Sequence, residues 1–303
     1  MRHHARKARI ELLTLFLLSI SFGMGIAALG SLPSNNLPAS PVQSPPSGTY
    51  FDHVVFIMME NEGIGNICGN GILPPCVGGT NTPYEAGLAN NFTISENYTS
   101  VYRPLTSQPN YVAIIGGSTF TCPSTCTNIN APTLIDRLQG AGLSWKAYME
   151  TMPLSKGCAT SDSLPYDSIH NPFISFKEFV NSGVSNATMC NNIVTANPSG
   201  CGPVTDCTLV NDLNNSTSAA PSFMWLTPND CNNMHAASIC TVANGYNGCT
   251  SGGSSACIKG GDNYLKSLVP NILNSQTFKT TRSALFITFD EGQDFCPRSG
   301  KSN

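Results

Sequence analysis

Residues 51–63, FDHVVFIMMENEG, join an unbroken apolar run to an acidic turn. The six apolar residues from Val54 to Met59 predict a strand buried on both faces, as in a parallel sheet covered by helices. Glu60 follows at the carboxyl end of that strand. In open α/β sheets ligands bind at this edge, because the loops leaving the strands form a crevice there. The alternative is a solvated glutamate in a loop after an edge strand.

The rest of the chain alternates between the two periodicities. Helical spacing with a proline near the start and glycines at the end predicts a helix over residues 131–142, and a second helix is predicted over 264–273. Residues 143–149 and 283–289 have the pattern of strands. We therefore predict an α/β fold with a mostly parallel central sheet and helices on both faces. The Cys/Gly/Ser-rich span 189–262 is expected to be a long excursion closed by disulfides.

The amino terminus has the features of an export segment. Basic residues near the start precede an apolar run over residues 12–29, so residues 1–30 are predicted to be a signal peptide or a membrane anchor. Residues 31–50 are rich in proline and serine and predict an extended tether. Residues 51–303 are then expected to form the folded domain. This arrangement places the protein outside the cell or on the outer face of the membrane.

Composition supports that location and excludes one class of partner. The chain has 13 cysteines, which in an exported protein favour disulfides that staple its loops, with local pairs such as Cys68–Cys76 and Cys122–Cys126. Five Asn-x-Ser/Thr sequons make it a candidate glycoprotein. Only 11% of the residues are charged and no basic cluster follows residue 9, so we expect no nucleic-acid partner.

Two predicted strands end in acids. Glu60 and Asn61 follow the first strand, and Asp290 and Glu291 follow the strand over 283–289. Carboxylates brought together at a sheet edge repel one another and are costly to desolvate, so a cation commonly compensates them. We expect a divalent metal, whose identity the residue types leave open between zinc, manganese, iron and calcium.

A pair of hydroxyl residues marks a third stretch. Thr106 and Ser107 precede a proline and a helix-compatible apolar run, which predicts a hydroxyl at a helix N-terminus, where the unpaired N–H groups favour an anion. A serine whose oxygen binds a metal can be deprotonated near neutral pH and attack an electrophile. The alternative is a simple helix cap.

The order of these motifs resembles the bacterial, archaeal and fungal phosphoesterase family of the alkaline-phosphatase superfamily, which contains acid phosphatases and phosphatidylcholine-type phospholipases C. The resemblance covers about residues 51–295 and rests on six ordered motifs: Glu60-Asn61, Ser107-x-Pro-Asn-Tyr, Trp145-Lys-Ala-Tyr-Met-Glu, His170-Asn-Pro-Phe, Thr227-Pro-Asn with Met234-His235, and Thr288-Phe-Asp-Glu-Gly.

The resemblance implies a role for each residue. Ser107 matches the nucleophile that is transiently phosphorylated, and His170 and His235 match site histidines that act as phosphate contacts, general acid or ligands. The implied metal-binding residues are Glu60, Asn61, Ser107, Asp290 and Glu291. Asn110 and Asn128 are the expected substrate-binding residues, with Asn130 as an alternative to Asn128.

The chain departs from the family pattern in two places. The family usually has Asn-Asp-Met-His where this chain has Asn232-Asn233-Met234-His235, so an amide replaces an acidic residue. Family members also continue beyond the Asp-Glu-Gly motif, so the C-terminal part of the domain is expected to be missing after Asn303.

We therefore expect a secreted hydrolase of small phosphoric esters, with an acid-phosphatase-like phosphomonoesterase activity. Two alternatives stand beside this expectation. One is a phospholipase C-type phosphodiesterase, and the other is a non-catalytic surface glycoprotein with an inactive site.

Overall fold

The computed structural model describes residues 50–69, 76, 79–95, 98–101, 106–215 and 220–292. The predicted signal or anchor segment, including residues 12–29, and nearly all of the tether lie outside these residues. In the described part of the chain, no helix is long and apolar enough to cross a membrane.

A five-stranded sheet lies at the centre of the fold. Its strands are β1 (His53–Met59), β2 (Trp145–Met149), β5 (Ile193–Thr195), β6 (Phe223–Thr227) and β7 (Ser283–Phe289). Their order across the sheet is β5-β2-β6-β1-β7, and every neighbouring pair is parallel. Two short antiparallel strands, β3 (Val180–Asn181) and β4 (Val184–Ser185), form a separate hairpin.

Eight α-helices are described around the sheet: α1 (Ile64–Cys68), α2 (Pro83–Asn91), α3 (Ser107–Gly116), α4 (Leu134–Gly140), α5 (Ala187–Cys190), α6 (Cys207–Asn215), α7 (Ser255–Leu273) and α8 (Gln276–Thr280). Short 3₁₀ helices cover Ser168–His170, Pro172–Ser175 and Val242–Asn244. The predicted helix over 131–142 corresponds to α4, and the helix predicted over 264–273 begins nine residues earlier, at Ser255.

Alternate residues of β1 enter two separate hydrophobic cores. Met58 packs on one face with α3, α4 and the aromatic residues Trp145 and Trp225. Val55 and Ile57 pack on the other face with α6 and α7. Successive side chains of a strand point to opposite faces, so a run that is apolar throughout needs a cover on both sides. The predicted α/β class with helices on both faces is therefore confirmed.

The expected excursion over 189–262 is wrong in one respect. This segment contains β5 and β6, and β6 lies between β1 and β2 in the middle of the sheet. All five residues of β6, FMWLT, are buried. The strand was missed because it is short and is surrounded by Cys, Gly, Ser and Asn residues that are typical of loops.

Six disulfides join neighbouring loop segments: Cys68–Cys76, Cys122–Cys126, Cys158–Cys190, Cys201–Cys207, Cys231–Cys240 and Cys249–Cys257. The two local pairs expected from the sequence are among them. The thirteenth cysteine, Cys296, lies outside the described residues. Disulfides in such number are characteristic of proteins that fold in an oxidising compartment.

One buried acid makes stability depend on pH. Glu85 of α2 is 8% exposed, and burial, followed by the charges of Asp262 and Glu62, raises its pKa to about 8. A carboxyl group with a raised pKa in the folded state stabilises the fold while it is protonated. That contribution is present below the unfolded-state pKa near 4.5 and is lost as pH rises towards 8.

We therefore predict that Glu85→Gln raises the free energy of unfolding at pH 8 but not at pH 5, by on the order of 2 kcal/mol. Urea unfolding at the two pH values measures the difference. Asp162→Asn is the matched control, because the pKa of Asp162 is lowered, first by its hydrogen bond with the Ser168 side chain. Asp162→Asn should therefore lower the free energy of unfolding by a similar amount at pH 5 and at pH 8. An equal gain for Glu85→Gln at pH 5 and pH 8 would contradict the prediction.

Candidate active site

Two acids lie next to each other at the carboxyl edge of the sheet. The parallel register of β1 and β7 pairs Met59 with Phe289, so Glu60 and Asp290 leave the sheet from adjacent positions. Asp290 N donates to the Met59 carbonyl at 3.1 Å, and Asn61 N donates to Asp290 Oδ1 at 3.1 Å. These backbone contacts fix both acids at the edge where the sequence predicts them.

Asn61 holds the Glu60 side chain in place. Its backbone adopts a left-handed conformation, with φ at 54°, which asparagine tolerates better than most residues. In this conformation its Nδ2 donates to Glu60 Oε2 at 2.9 Å. Asn61 therefore acts on both acids, through its backbone on Asp290 and through its side chain on Glu60.

Ser107 contacts Glu60 from helix α3. It is the first residue of α3, and its Oγ donates to Glu60 Oε2 at 3.1 Å. Thr106 is the N-cap residue, and its side chain makes no capping bond to the helix backbone. The hydroxyl of Ser107 thus faces a carboxylate at a helix N-terminus, and the simple capping interpretation does not describe it.

His170 bridges two carboxylates. It is 1% exposed, with Nε2 at 3.3 Å from Glu60 Oε1 and Nδ1 at 3.1 Å from Asp230 Oδ1. Its ring stacks on Tyr111 of α3, with the ring centroids 5.3 Å apart. A carboxylate on Nδ1 orients the imidazole and favours a proton on that nitrogen.

His235 lies beside His170, with ring centroids 5.2 Å apart. It is only partly buried, its backbone N–H donates to Asn233 Oδ1 at 2.8 Å, and its Nδ1 lies 3.0 Å from the Ala236 carbonyl. The two histidines therefore differ in access: His170 is enclosed, whereas His235 reaches the side open to solvent.

Burial controls the protonation of this cluster. The pKa of Glu60 lies well above its usual range, first because the residue is buried and then because of the charge of Asp290. Burial lowers the pKa of His170, but the charges of Glu60 and Asp230 outweigh it and raise that pKa to about 10. The site therefore retains protons that exposed side chains would release.

The donor set fits a divalent metal. Ligand atoms of Glu60, His170 and His235 lie within 4.8 Å of one another, and so do those of Asp167, His170 and Asp230. Asp290 Oδ2 and Glu291 Oε2 are buried and have no hydrogen-bond partner, and buried Glu60 Oε1 has only the ion pair with His170 at 3.3 Å. Carboxylate oxygens in this state are the atoms that a cation would bind.

The two expected substrate-binding asparagines occupy different surroundings. Asn110 is buried, and with Asp290 it lines a cavity of about 180 Å³. Asn128 is exposed, and its Oδ1 accepts from Ser182 N at 2.7 Å in the β3–β4 hairpin. The structure thus brings Asn110 to the cluster, and Asn128 has no hydrogen bond to it among the described contacts.

Asp230 and Tyr111 belong to the cluster but were not among the predicted site residues. Asp230 follows β6 by three residues, at the same edge of the sheet as Glu60. Recognition of β6 as a central strand would have placed this acid at the site. Tyr111 lies one helical turn after Ser107, on the same face of α3, so the helical period was the available signal.

The fold and the site together define a parallel α/β protein with a serine, carboxylates and histidines gathered at the binding edge. The family model described as the Phosphoesterase family matches residues 78–299. The chain belongs to this family.

Curated relatives are identical to the chain at about a quarter of the aligned residues. The phosphate-repressible acid phosphatase of Penicillium chrysogenum is 26% identical over 290 residues, which cover 89% of this chain and 55% of the relative. The phosphatidylinositol-3-phosphatase of Mycobacterium tuberculosis is 26% identical over 151 residues, 49% of this chain and 44% of the relative. The chain spans about half the length of these relatives. One solved structure, from Vibrio parahaemolyticus, is titled as a protein in the alkaline phosphatase superfamily. Its superposition on this chain has a TM-score of 0.49 at 14% sequence identity, and the aligned part is 83% of this chain and 56% of the Vibrio chain.

The His170–Asp230 contact makes a prediction about the metal-free protein. Replacing Asp230 by Asn removes a negative charge 3.1 Å from His170 Nδ1, so the pKa of His170 should fall by roughly one unit or more. An NMR titration of the histidine ring resonances after chelator treatment measures this change. Asp162→Asn, at a more distant and exposed acid, should leave that pKa nearly unchanged. An unaltered His170 titration in Asp230→Asn would show that this carboxylate does not control the ring.

Proposed function

We propose that this chain hydrolyses phosphate monoesters with Ser107 as the nucleophile. The observation that carries the proposal is the contact between Ser107 Oγ and Glu60 Oε2, at 3.1 Å, at the N-terminus of α3. A hydroxyl paired with a buried base, beside helix N–H groups that favour an anion, is the arrangement that phosphoryl transfer to serine needs. The acid phosphatase among the relatives supports the substrate class.

In the proposed reaction, the proton of Ser107 passes to Glu60 as Oγ forms a bond to phosphorus. The bond from phosphorus to the ester oxygen breaks, and the leaving alcohol takes a proton from a histidine. Water then attacks phosphorus and gives a proton to the same histidine, while the bond from phosphorus to Oγ breaks, Oγ takes its proton back from Glu60 and phosphate is released. Glu60 must be ionised to accept this proton: burial and the charge of Asp290 raise its pKa, whereas the charge of His170 and a bound cation would favour the ionised form.

His235 is the better donor to the leaving group. Both ring nitrogens of His170 face carboxylates, Glu60 on one side and Asp230 on the other. His235 is partly exposed, and its Nδ1 is close to a backbone carbonyl, which leaves Nε2 as the other ring nitrogen for an incoming substrate. His170 would instead hold Glu60 in position.

A divalent metal would be held by Glu60 and Asp290, with Asn61, Glu291 and the serine oxygen completing the expected set. Such an ion, when bound, lowers the pKa of a coordinated hydroxyl and neutralises charge on phosphoryl oxygens. The orphaned carboxylate oxygens at this edge support its presence.

The organic part of the substrate would lie towards the cavity lined by Asn110 and Asp290. Tyr98 and Val101 also line it, and both are exposed. The polar end suits a phosphoryl group and the apolar end suits an alkyl or aryl group. We further propose that the protein acts outside the cell, because an export segment at residues 1–30 agrees with the six disulfides.

The decisive experiment compares hydrolysis of a soluble aryl phosphate with that of a phosphocholine ester, with and without chelator. Turnover of the aryl phosphate that chelator abolishes and divalent metal restores is the expected result. Preferential hydrolysis of the phosphocholine ester would instead indicate the phosphodiesterase alternative. Folded protein without activity on either substrate would indicate the non-catalytic alternative.

Ser107→Ala should lower kcat by roughly a thousandfold or more without loss of folding, because the hydroxyl that receives the phosphoryl group is absent. Steady-state kinetics and circular dichroism measure the two effects. Ser118→Ala, which alters an exposed serine after the same helix, is the matched control and should keep normal kcat. A Ser107→Ala protein with wild-type turnover would remove Ser107 from the reaction.

Asp290→Asn should lose bound metal and activity together, since one of the two central carboxylates becomes an amide. Elemental analysis of the purified protein and the aryl phosphate assay measure them in parallel. Asp212→Asn changes an acid of helix α6 that pairs with Lys146 of β2 at 2.7 Å, and should retain both. Normal metal content in Asp290→Asn would show that Asp290 is not a ligand.

A further inference from the structure

Asn233 lies between two groups of the candidate active site. It is fully buried, on the loop that follows β6. Its backbone carbonyl accepts from Glu60 N at 2.9 Å, and its side-chain Oδ1 accepts from His235 N at 2.8 Å. One residue therefore contacts both the acid that follows β1 and the histidine that is open to solvent.

The nitrogen of the same amide contacts a third member of the cluster. Nδ2 donates to Asp230 Oδ1 at 3.2 Å, and its second acceptor is the Pro228 carbonyl at 3.5 Å. Asp230 Oδ1 is also the oxygen that lies 3.1 Å from His170 Nδ1. Asn233 is thus linked to the buried histidine through one carboxylate oxygen.

The chemistry of its neighbours fixes the orientation of this amide. A backbone N–H only donates, so the amide oxygen must face His235, and the nitrogen then faces the Asp230 carboxylate. An aspartate at this position could accept from His235 N, but it would place a second carboxylate beside Asp230, where like charges repel. The amide that replaces the acid of the family pattern therefore supplies a donor that an ionised acid lacks.

The backbone around His235 is strained. Met234 and Ala236, on either side of His235, have φ of 83° and 103°, in the left-handed region that disfavours residues with a side chain. Met234 is fully buried in the core on the α7 side of the sheet, and a side chain at Gly261 of α7 would collide with it. Strain of this kind persists only where surrounding contacts maintain it, and the bond from His235 N to Asn233 Oδ1 is one such contact.

We propose that Asn233 is a positioning residue that holds His235, the donor to the leaving group, and Glu60, the acceptor of the serine proton, in fixed relative positions. This inference rests on the roles that the proposed function gives to these two residues. Both contacts come from one residue, so the relative position of acid and base does not depend on two separate loops. A displacement of a catalytic group by about 1 Å costs on the order of a hundredfold in rate.

Two substrates with different leaving groups test this role. Departure of an alkoxide depends on protonation, whereas an acidic nitrophenol leaves with little help from an acid. Asn233→Ala removes the acceptor of His235 N, so kcat on an alkyl phosphate should fall by roughly a hundredfold more than kcat on a nitrophenyl phosphate. A merely structural defect in the loop would lower both rates by the same factor.

Asn233→Asp separates the two ends of the side chain. Its carboxylate still accepts from His235 N but does not donate to Asp230, so any loss should fall equally on the two substrates and keep the wild-type ratio of their rates. Asn263→Ala, at an exposed asparagine of α7, is the matched control and should keep both rates. If circular dichroism shows that Asn233→Ala does not fold, Asn233→Leu takes its place, because leucine keeps the shape of the side chain and also lacks the acceptor.

A double-mutant comparison tests whether the effect passes through His235. His235→Ala should change the ratio of the two rates as Asn233→Ala does, and combining the two substitutions should change it no further. An unchanged ratio in His235→Ala would remove His235 as the donor, and the role of Asn233 with it.

Amide hydrogen exchange measures the same contact without turnover. The His235 N–H should exchange about tenfold faster or more in Asn233→Ala than in wild type, and Asn233→Asp should keep the protection. Unchanged exchange in Asn233→Ala overturns the inference. So does an unchanged ratio of rates in an Asn233→Ala protein that hydrolyses both substrates, and that result leaves the proposed function intact. Wild-type protein without turnover would overturn the proposed function and this role together.

Discussion

The parallel register of β1 against β7 is the constraint on which the candidate site depends. Pairing of Met59 with Phe289 places Glu60 beside Asp290, and the contact between Asn61 N and Asp290 Oδ1 exists only in this register. A slip of two residues would move one acid along the sheet by about 6.6 Å, beyond hydrogen-bond reach. A slip of one residue would turn the apolar side chains of a strand to the wrong face. The hydrophobic cores on the two faces of β1 therefore fix the position of the acids.

The same hydrophobic cores offset the unfavourable free energy of the buried polar groups. Glu60, Glu150, Asp206 and Asp290 are each less than a twentieth exposed, and all lie on segments that follow strands or precede helices at the sheet edge. Groups of this kind oppose folding, and proteins tolerate them where function needs them. The apolar packing around Trp225 and Leu265 supplies the stability against which this cost is set.

Much of the fold and part of the site could be predicted from the sequence. The run Val54–Met59 predicted a buried parallel strand, because only a strand covered on both faces has no polar side, and Ser107 was placed at a helix N-terminus from the residues that follow it. Glu60 and Asp290 were expected at one edge because the carboxyl ends of parallel strands meet at the same edge of a sheet. These predictions used local patterns whose physical cause is short-ranged.

The remainder depended on contacts between distant segments. Strand β6 was hidden by its cysteine- and glycine-rich neighbours, and with it the position of Asp230. The hydrogen bond that Asn128 Oδ1 accepts from Ser182 N of the β3–β4 hairpin joins residues 54 positions apart, which no local period reveals.

The placement of the disulfides has a consequence for how this protein can diverge. Cys68–Cys76 and Cys122–Cys126 both close between β1 and β2, Cys158–Cys190 lies between β2 and β5, and the other pairs lie between β5 and β6 or between β6 and β7. Each of the six bridges in the described residues thus begins and ends within one connection of the sheet. A connection can be lengthened, replaced or lost together with its own cysteine pair, and no cysteine elsewhere is left without its partner. Each loop over the sheet edge can therefore change in evolution independently of the other loops, while the order of the strands in the sheet stays the same.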